Sequence, residues 1–293
     1  MSGPTIEKRT ITPRVKAERR KTPLTREEKM IASLSPHLNL MVTAVRKAGR
    51  RLMRDFGEVS NLQISQKAPG DFVSNADKMV EKVLIDFLSE ARPDYGIISE
   101  ESREIAPKNN SAYMWIIDPI DGTNNFIHAI PCFAISVALV FKGKVQAGVV
   151  FNPIVNELYY AEKGKGAYVM TPTGNIRLRV SGRRELGTCM MGINGLFFKS
   201  NQQLMKKIVP YVSSVRCNGS TTLALAYVAS GKYDLFFDCG FKTWDVASGL
   251  LLVKEAGGFV GGFSDFIDLE TLVKAQKILA CNMMIKDSLL ALV

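Results

Sequence analysis

Histidine is scarce: His37 and His128 are the only two among 293 residues, which excludes a multi-histidine metal centre. The five cysteines, at 132, 189, 217, 239 and 281, are odd in number, widely spaced and never set as Cys-x-x-Cys. That pattern argues against both a disulfide framework and structural zinc. Any metal bound here must be held by carboxylates, and hard oxygen donors favour Mg²⁺ or Mn²⁺. No run of 18 apolar residues appears and the N-terminal stretch has no apolar signal core, so a cytoplasmic protein without a membrane partner is expected.

What is present describes a globular chain. It is 46% hydrophobic and 23% charged, and its length suits one large domain or two closely joined halves. The net charge of +10 is uneven, since residues 1–29 hold nine Lys/Arg against four Glu. We read 1–29 as a solvated, disordered leader; contact with RNA or an acidic partner and an organellar transit peptide are other readings. Residues 30–293 are expected to form the folded part, with a boundary between halves near 185.

The chain is organised around Trp115-Ile116-Ile117-Asp118-Pro119-Ile120-Asp121-Gly122-Thr123-Asn124-Asn125-Phe126. The large residues predict a buried strand, and pairing is expected to stop beside Pro119, which has no N–H to donate. Asp118 and Asp121 would project from the strand end, and Gly122-Thr123 permits a tight turn into a helix. Two such carboxylates can share a divalent cation, and N–H groups at the helix start offer a phosphate site. The competing reading is an Asp-rich turn with an N-cap.

Helical spacing predicts helices over about 36–56 and 74–91, with a turn at 67–71, and a short strand at 97–99 delivers Glu100 and Glu101. Strand patterns follow at 133–141, 144–151, 157–161, 167–170 and 177–180. A mixed half then reads as strands at 188–193, 214–217, 233–237 and 277–281, with helices near 201–210, 220–230, 246–256 and 284–292. The class is α+β with mixed sheets. Asp245 reads as an N-cap and Asp77 as part of a Ser74-x-x-Asp77 capping box, yet all these acids flank one apolar core. Glu101 reads as a surface charge, and Cys132 and Ser136 as core.

Asp118-Pro119-Ile120-Asp121-Gly122-Thr123-x-Asn125-Phe126 resembles the first signature of the inositol monophosphatase family, and Trp244-Asp245-Val246-Ala247-Ser248-Gly249 the second. Ile98-Ser99-Glu100-Glu101-Ser102, Gly164-Lys165-Gly166-Ala167, Gly219-Ser220-Thr221 and Glu255-Ala256-Gly257-Gly258 fit in family order, across roughly 36–292. The resemblance implies a layered α/β/α/β/α sandwich, a homodimer, lithium sensitivity and Mg²⁺-dependent hydrolysis of a small phosphorylated polyol or sugar. It implies one metal on Glu100, Asp118 and the Ile120 carbonyl, and a second on Asp118, Asp121 and Asp245. Asp77 would support a third metal and the attacking water. Thr123, its hydroxyl held by Asp77, would orient that water. Substrate contacts would come from Asp121, Gly122, Thr123, Gly219, Thr221, Asp238 and Asp245.

This chain departs from the family at its rim. Asp238 stands where the family often has Glu, Thr221 where Ala is usual, Ala224 in place of a common Asp, and Lys242-Thr243 where bacterial members often read Lys-Pro. The expected substrate is inositol 1-phosphate. Histidinol phosphate, fructose 1,6-bisphosphate, a nucleotide 3′-phosphate, or an RNA- or transcription-associated role are the alternatives.

Overall fold

The computed structural model describes residues 25–62, 69–102, 104–262 and 268–292, so most of the basic leader lies outside the described residues. The leader's last residues belong instead to α1 (Arg26–Ala32), where Thr25 and Glu28 form a capping box. Then come α2 (Pro36–Leu62), α3 (Pro69–Ala91), β1 (Gly96–Ser99), β2 (Tyr113–Asp121), α4 (Thr123–Ile127), β3 (Ala134–Phe141), β4 (Lys144–Asn152), β5 (Glu157–Glu162), β6 (Gly166–Thr171) and β7 (Gly174–Arg177). The remainder is β8 (Met190–Ile193), α5 (Gly195–Ser200), α6 (Gln202–Ile208), β9 (Ser214–Arg216), α7 (Thr221–Ala229), β10 (Leu235–Cys239), α8 (Thr243–Glu255), β11 (Phe259–Gly261), α9 (Leu269–Ala275), β12 (Lys277–Cys281) and α10 (Lys286–Leu290).

Strands β1 to β7 form one sheet in chain order, and the second sheet runs β11-β12-β10-β8-β9. Both are mixed: β1 pairs parallel to β2 and β8 parallel to β9 and β10, while the other pairings are antiparallel. Strand alternation sorts the core into layers. Trp115, Ile117, Val137 and Val149 face α2 and α3, whose Met41, Val45, Leu52, Val80, Leu84 and Leu88 complete that cluster. Ile116, Ala138 and Val150 face the other way, onto α7 and α8. The second sheet turns Phe236, Ile278 and Ala280 to the same two helices and Leu235, Phe237 and Leu279 outward under α5, α6 and α10. Helices α7 and α8 are apolar nearly all round because a sheet lies on each side. The expected α/β/α/β/α sandwich is therefore what the chain builds. No helix among the described residues is long and apolar enough to cross a membrane.

Several elements differ from the pattern-based expectation. Helix α3 begins at Pro69, where the missing N–H costs nothing, so 69–71 are helical rather than a turn. Strand β7 is hairpin-paired through Thr171 and Gly174, earlier than 177–180. Helices α5 and α9 and strand β11 are too short to show a period, although Asp268 caps α9 by accepting from Thr271 N–H at 2.8 Å.

The first sheet and α8 come close together at Gly148, where an added Cβ would lie 2.9 Å from the Ser248 Cα. Gly148→Ala is expected to cost about 1–3 kcal/mol through overpacking. Gly57→Ala, in open space on α2, should be neutral or stabilising by up to about 1 kcal/mol. Urea midpoints at unchanged m value check both.

Candidate active site

A bulge in β2 sets the two central acids. Ile116 pairs with Ala138, Asp118 with Ser136 and Asp121 with Ala134, so three steps along β2 match two along β3. In an unbroken strand residues three apart face opposite sides; the extra residue restores Asp121 to the side of Asp118. Pairing therefore continues past Pro119 to Asp121 rather than stopping. Gly122 then takes φ +96°, and a Cβ there would sit 3.0 Å from the Cys132 carbonyl and 3.3 Å from that of Gly219. Asn125 Nδ2 donates to the Cys132 carbonyl at 2.6 Å and the Asn218 carbonyl at 2.7 Å, fastening the two turns together.

The carboxylates of Asp118, Asp121 and Asp245 offer ligand atoms all within 4.8 Å of one another. Asp121 faces the start of α7, accepting from Thr221 N–H at 3.2 Å, Thr222 N–H at 2.9 Å and the hydroxyls of Ser220 and Thr222. Asp245 lies inside the first turn of α8 and accepts from Lys242 N–H at 2.7 Å, so the helix starts earlier than predicted. Asp77 sits more than two turns into α3 rather than in a capping box, buried and facing Glu100 and Glu101. Glu100 stands at the exposed mouth, close to Asp118. The Thr123 hydroxyl donates to the Ile120 carbonyl at 2.9 Å instead of to Asp77. That carbonyl keeps a second lone pair.

Burial raises every acid in the cluster, and like charge adds to it at Asp77, Glu100, Asp118 and Asp245. Asp77 is pushed up to about 8 by desolvation and by Glu101, Glu100 and Glu81. Desolvation and then Glu101 and Asp121 bring Glu100 to about 7; desolvation and then Asp121 bring Asp245 to about 7. Asp118 is raised well above the usual carboxylate range, first by burial and then by Asp121, Glu100, Asp245 and Asp77. Burial also raises Asp121, against the four hydrogen bonds from α7. No Lys or Arg among the described residues forms an ion pair with any of these acids. Buried oxygens of Asp77 and Asp118 have no hydrogen-bond partner. Orphaned buried oxygens and uncompensated charge fit oxygen-seeking divalent cations.

Asp238 is buried against the same helix start. One oxygen accepts the Thr221 hydroxyl at 2.6 Å and the other the Cys239 N–H at 2.7 Å, while desolvation lifts it to about 7. Ser220, Thr222 and Glu81 went unread in the sequence. Ser220 lies within the segment picked out at Gly219–Thr221 and Thr222 directly follows it, while Glu81 follows Asp77 by one helical turn, a spacing that places both on one face.

Strand-end carboxylates gathered between two mixed sheets define the class: an acidic, cation-seeking centre of the layered phosphatase type. The model of the inositol monophosphatase family matches residues 33–293. An inositol-1-monophosphatase of Mesorhizobium japonicum is 45% identical, covering 83% of this chain and 92% of that protein. The Nus factor SuhB of Escherichia coli K12 is 38% identical over 88% of this chain and 96% of its own. The crystal structure of the extragenic suppressor protein SuhB from Bartonella henselae superposes with a TM-score of 0.79 at 41% identity, covering 88% and 98% of the two chains. The chain belongs to the inositol monophosphatase family and is a phosphomonoester hydrolase.

The raised acids make a signed prediction. A carboxyl whose folded pKa exceeds its ordinary 3.8 or 4.5 contributes stability in full below that value, and loses it as pH rises through the folded pKa. Protein stripped with EDTA should therefore lose Tm between about pH 5 and 8, through the titrations near 7 and 8. Millimolar Mg²⁺ should restore it, by binding the folded state alone. Thermal melts across that range, with and without Mg²⁺, check this; a flat metal-free profile would contradict it.

Proposed function

We propose that the chain hydrolyses inositol 1-phosphate to inositol and phosphate with two to three Mg²⁺ ions, which Mn²⁺ can replace. The observation that carries this reading is the uncompensated Asp118–Asp121–Asp245 cluster with orphaned oxygens on Asp77 and Asp118. Glu100, Asp118 and the Ile120 carbonyl would hold one ion, Asp118, Asp121 and Asp245 a second, and Asp77 a third. Cations bound there neutralise a phosphate dianion and make water acidic enough to attack near neutral pH.

The chain's own groups do the positioning. Asp77 and Glu100 would flank the attacking water and take the one proton it gives up, which passes on to the departing alkoxide as the phosphorus–oxygen bond breaks. The Thr123 hydroxyl, its own proton donated to the Ile120 carbonyl, would orient that water by accepting a hydrogen bond from it. N–H groups of Gly122 and Thr123 donate to phosphate oxygens at the start of α4. Gly219 and Thr221 border the space for the ring, and Asp121, Asp245 and Asp238 supply acceptors for its hydroxyls. Histidinol phosphate, fructose 1,6-bisphosphate and nucleotide 3′-phosphates are the competing substrates. Lithium inhibition, a homodimer and a cytoplasmic location complete the reading.

A second reading, association with RNA or the transcription machinery, draws on the SuhB relatives named Nus factors and on the basic N-terminal stretch. Such binding would weaken steeply with salt and depend on residues 1–24. Asp118→Asn is expected to lower kcat/KM for inositol 1-phosphate about 10³-fold, a loss of several kcal/mol of transition-state stabilisation. Deleting 1–24 should leave turnover within twofold. Steady-state kinetics on a panel of these esters reads both; activity that survives Asp118→Asn and disappears with the deletion would sink the mechanism.

A further inference from the structure

Glu81 lies one turn beyond Asp77 on α3 and is 3% exposed. Its carboxylate has no cationic partner among the described residues. It accepts instead from four donors on one short segment: the hydroxyls of Ser99 and Ser102, the Glu101 N–H at 3.1 Å and the Ser102 N–H at 3.1 Å. That segment is the turn leaving β1, and the last ladder pair of β1 is Ser99 with Ile117. Beyond it, Glu100 projects at the exposed mouth with no ladder to fix it. One buried carboxylate thus ties the turn that carries Glu100 to the helix that carries Asp77.

We propose that Glu81 is a positioning residue, which sets the separation of Glu100 and Asp77 and so tunes how tightly the acidic cluster takes up its cation. This rests on the metal-binding reading of Glu100 and Asp77. A buried acid is costly unless fully hydrogen-bonded, and here all four bonds go to the turn and none to the apolar core. Removing the carboxylate therefore releases the turn, where the Glu101 N–H and the Ser102 N–H and hydroxyl then find water at the exposed mouth, while the buried Ser99 hydroxyl loses its partner. The core keeps its packing. Groups that orient metal ligands typically matter by about 10–100-fold in affinity or activity.

Isothermal titration of the full-length protein with Mn²⁺ tests this. Glu81→Ala, and Glu81→Asp, whose carboxylate is retracted by one methylene, should raise the Mn²⁺ Kd about 10–100-fold. Both should lower kcat/KM at limiting metal and recover most of it at saturating metal. Glu81→Gln should stay within about threefold, because three of the four donors converge on one oxygen, which the amide retains, and the Ser102 hydroxyl can turn to accept from its NH₂. If Glu81→Ala does not fold, the Ser99→Ala/Ser102→Ala double variant takes its place, with an expected loss of about tenfold. A lowered Tm with Mn²⁺ Kd unchanged within twofold in Glu81→Asp and the double variant would reduce Glu81 to a purely structural role and overturn the proposal. Absence of Mn²⁺ binding by the unmutated protein would instead remove the reading beneath it.

Discussion

Repulsion among buried carboxylates is the constraint on which this architecture depends. Asp77, Asp118, Asp121 and Asp245 approach one another from α3, β2 and α8 with Glu100 at their rim, and no described Lys or Arg offsets them. The scaffold answers with hydrogen-bond donors in place of cations. Asp121 draws on the start of α7, Asp245 on the Lys242 N–H, and Glu81, just outside the cluster, on the turn after β1. Two acids remain incompletely satisfied, Asp77 and Asp118, and these mark where positive charge is wanted. Elements of both sheets' layers are needed for this, which ties the site to the whole sandwich.

Much of this was legible in the chain. Asp118, Asp121 and Asp245 announce themselves because acids beside buried apolar runs are expensive, and two signatures carry them at recognisable spacing. Strands β3 to β6 show as short apolar runs set between turn residues, because both of their faces are buried. What escaped has physical reasons. Pro119 reads as the end of a ladder, since nothing local tells a bulge from a terminus. Glu81 looks like any helical glutamate until the turn after β1 folds onto it. The bond from Thr123 to Ile120 in place of Asp77 depends on a rotamer choice invisible in a sequence. Elements as short as β11 and α9 hold too few residues to show a period.

Asp238 and Thr221 illustrate how two departures from a family pattern become one feature. Taken singly, the shorter acid retracts a carboxylate and the threonine adds a hydroxyl to a tight segment. Folded, the hydroxyl meets the retracted oxygen at 2.6 Å while the Thr221 N–H reaches Asp121. Each Asp238 oxygen accepts one bond and keeps a further lone pair, so a group that addressed this acid would add to that bond rather than replace it. Thr221 thus links Asp238 to an acid of the central cluster.

The bulge in β2, rather than the spacing of the acids, decides which side of the sheet Asp121 faces. Paired residue for residue, a strand that kept all four positions from Asp118 to Asp121 would turn Asp121 to the opposite side, towards the packing of Phe126 and Phe133. Loss of Pro119 or Ile120 together with the bulge would keep both acids on one side, two positions apart, so a gap there is tolerable only when the bulge goes with it.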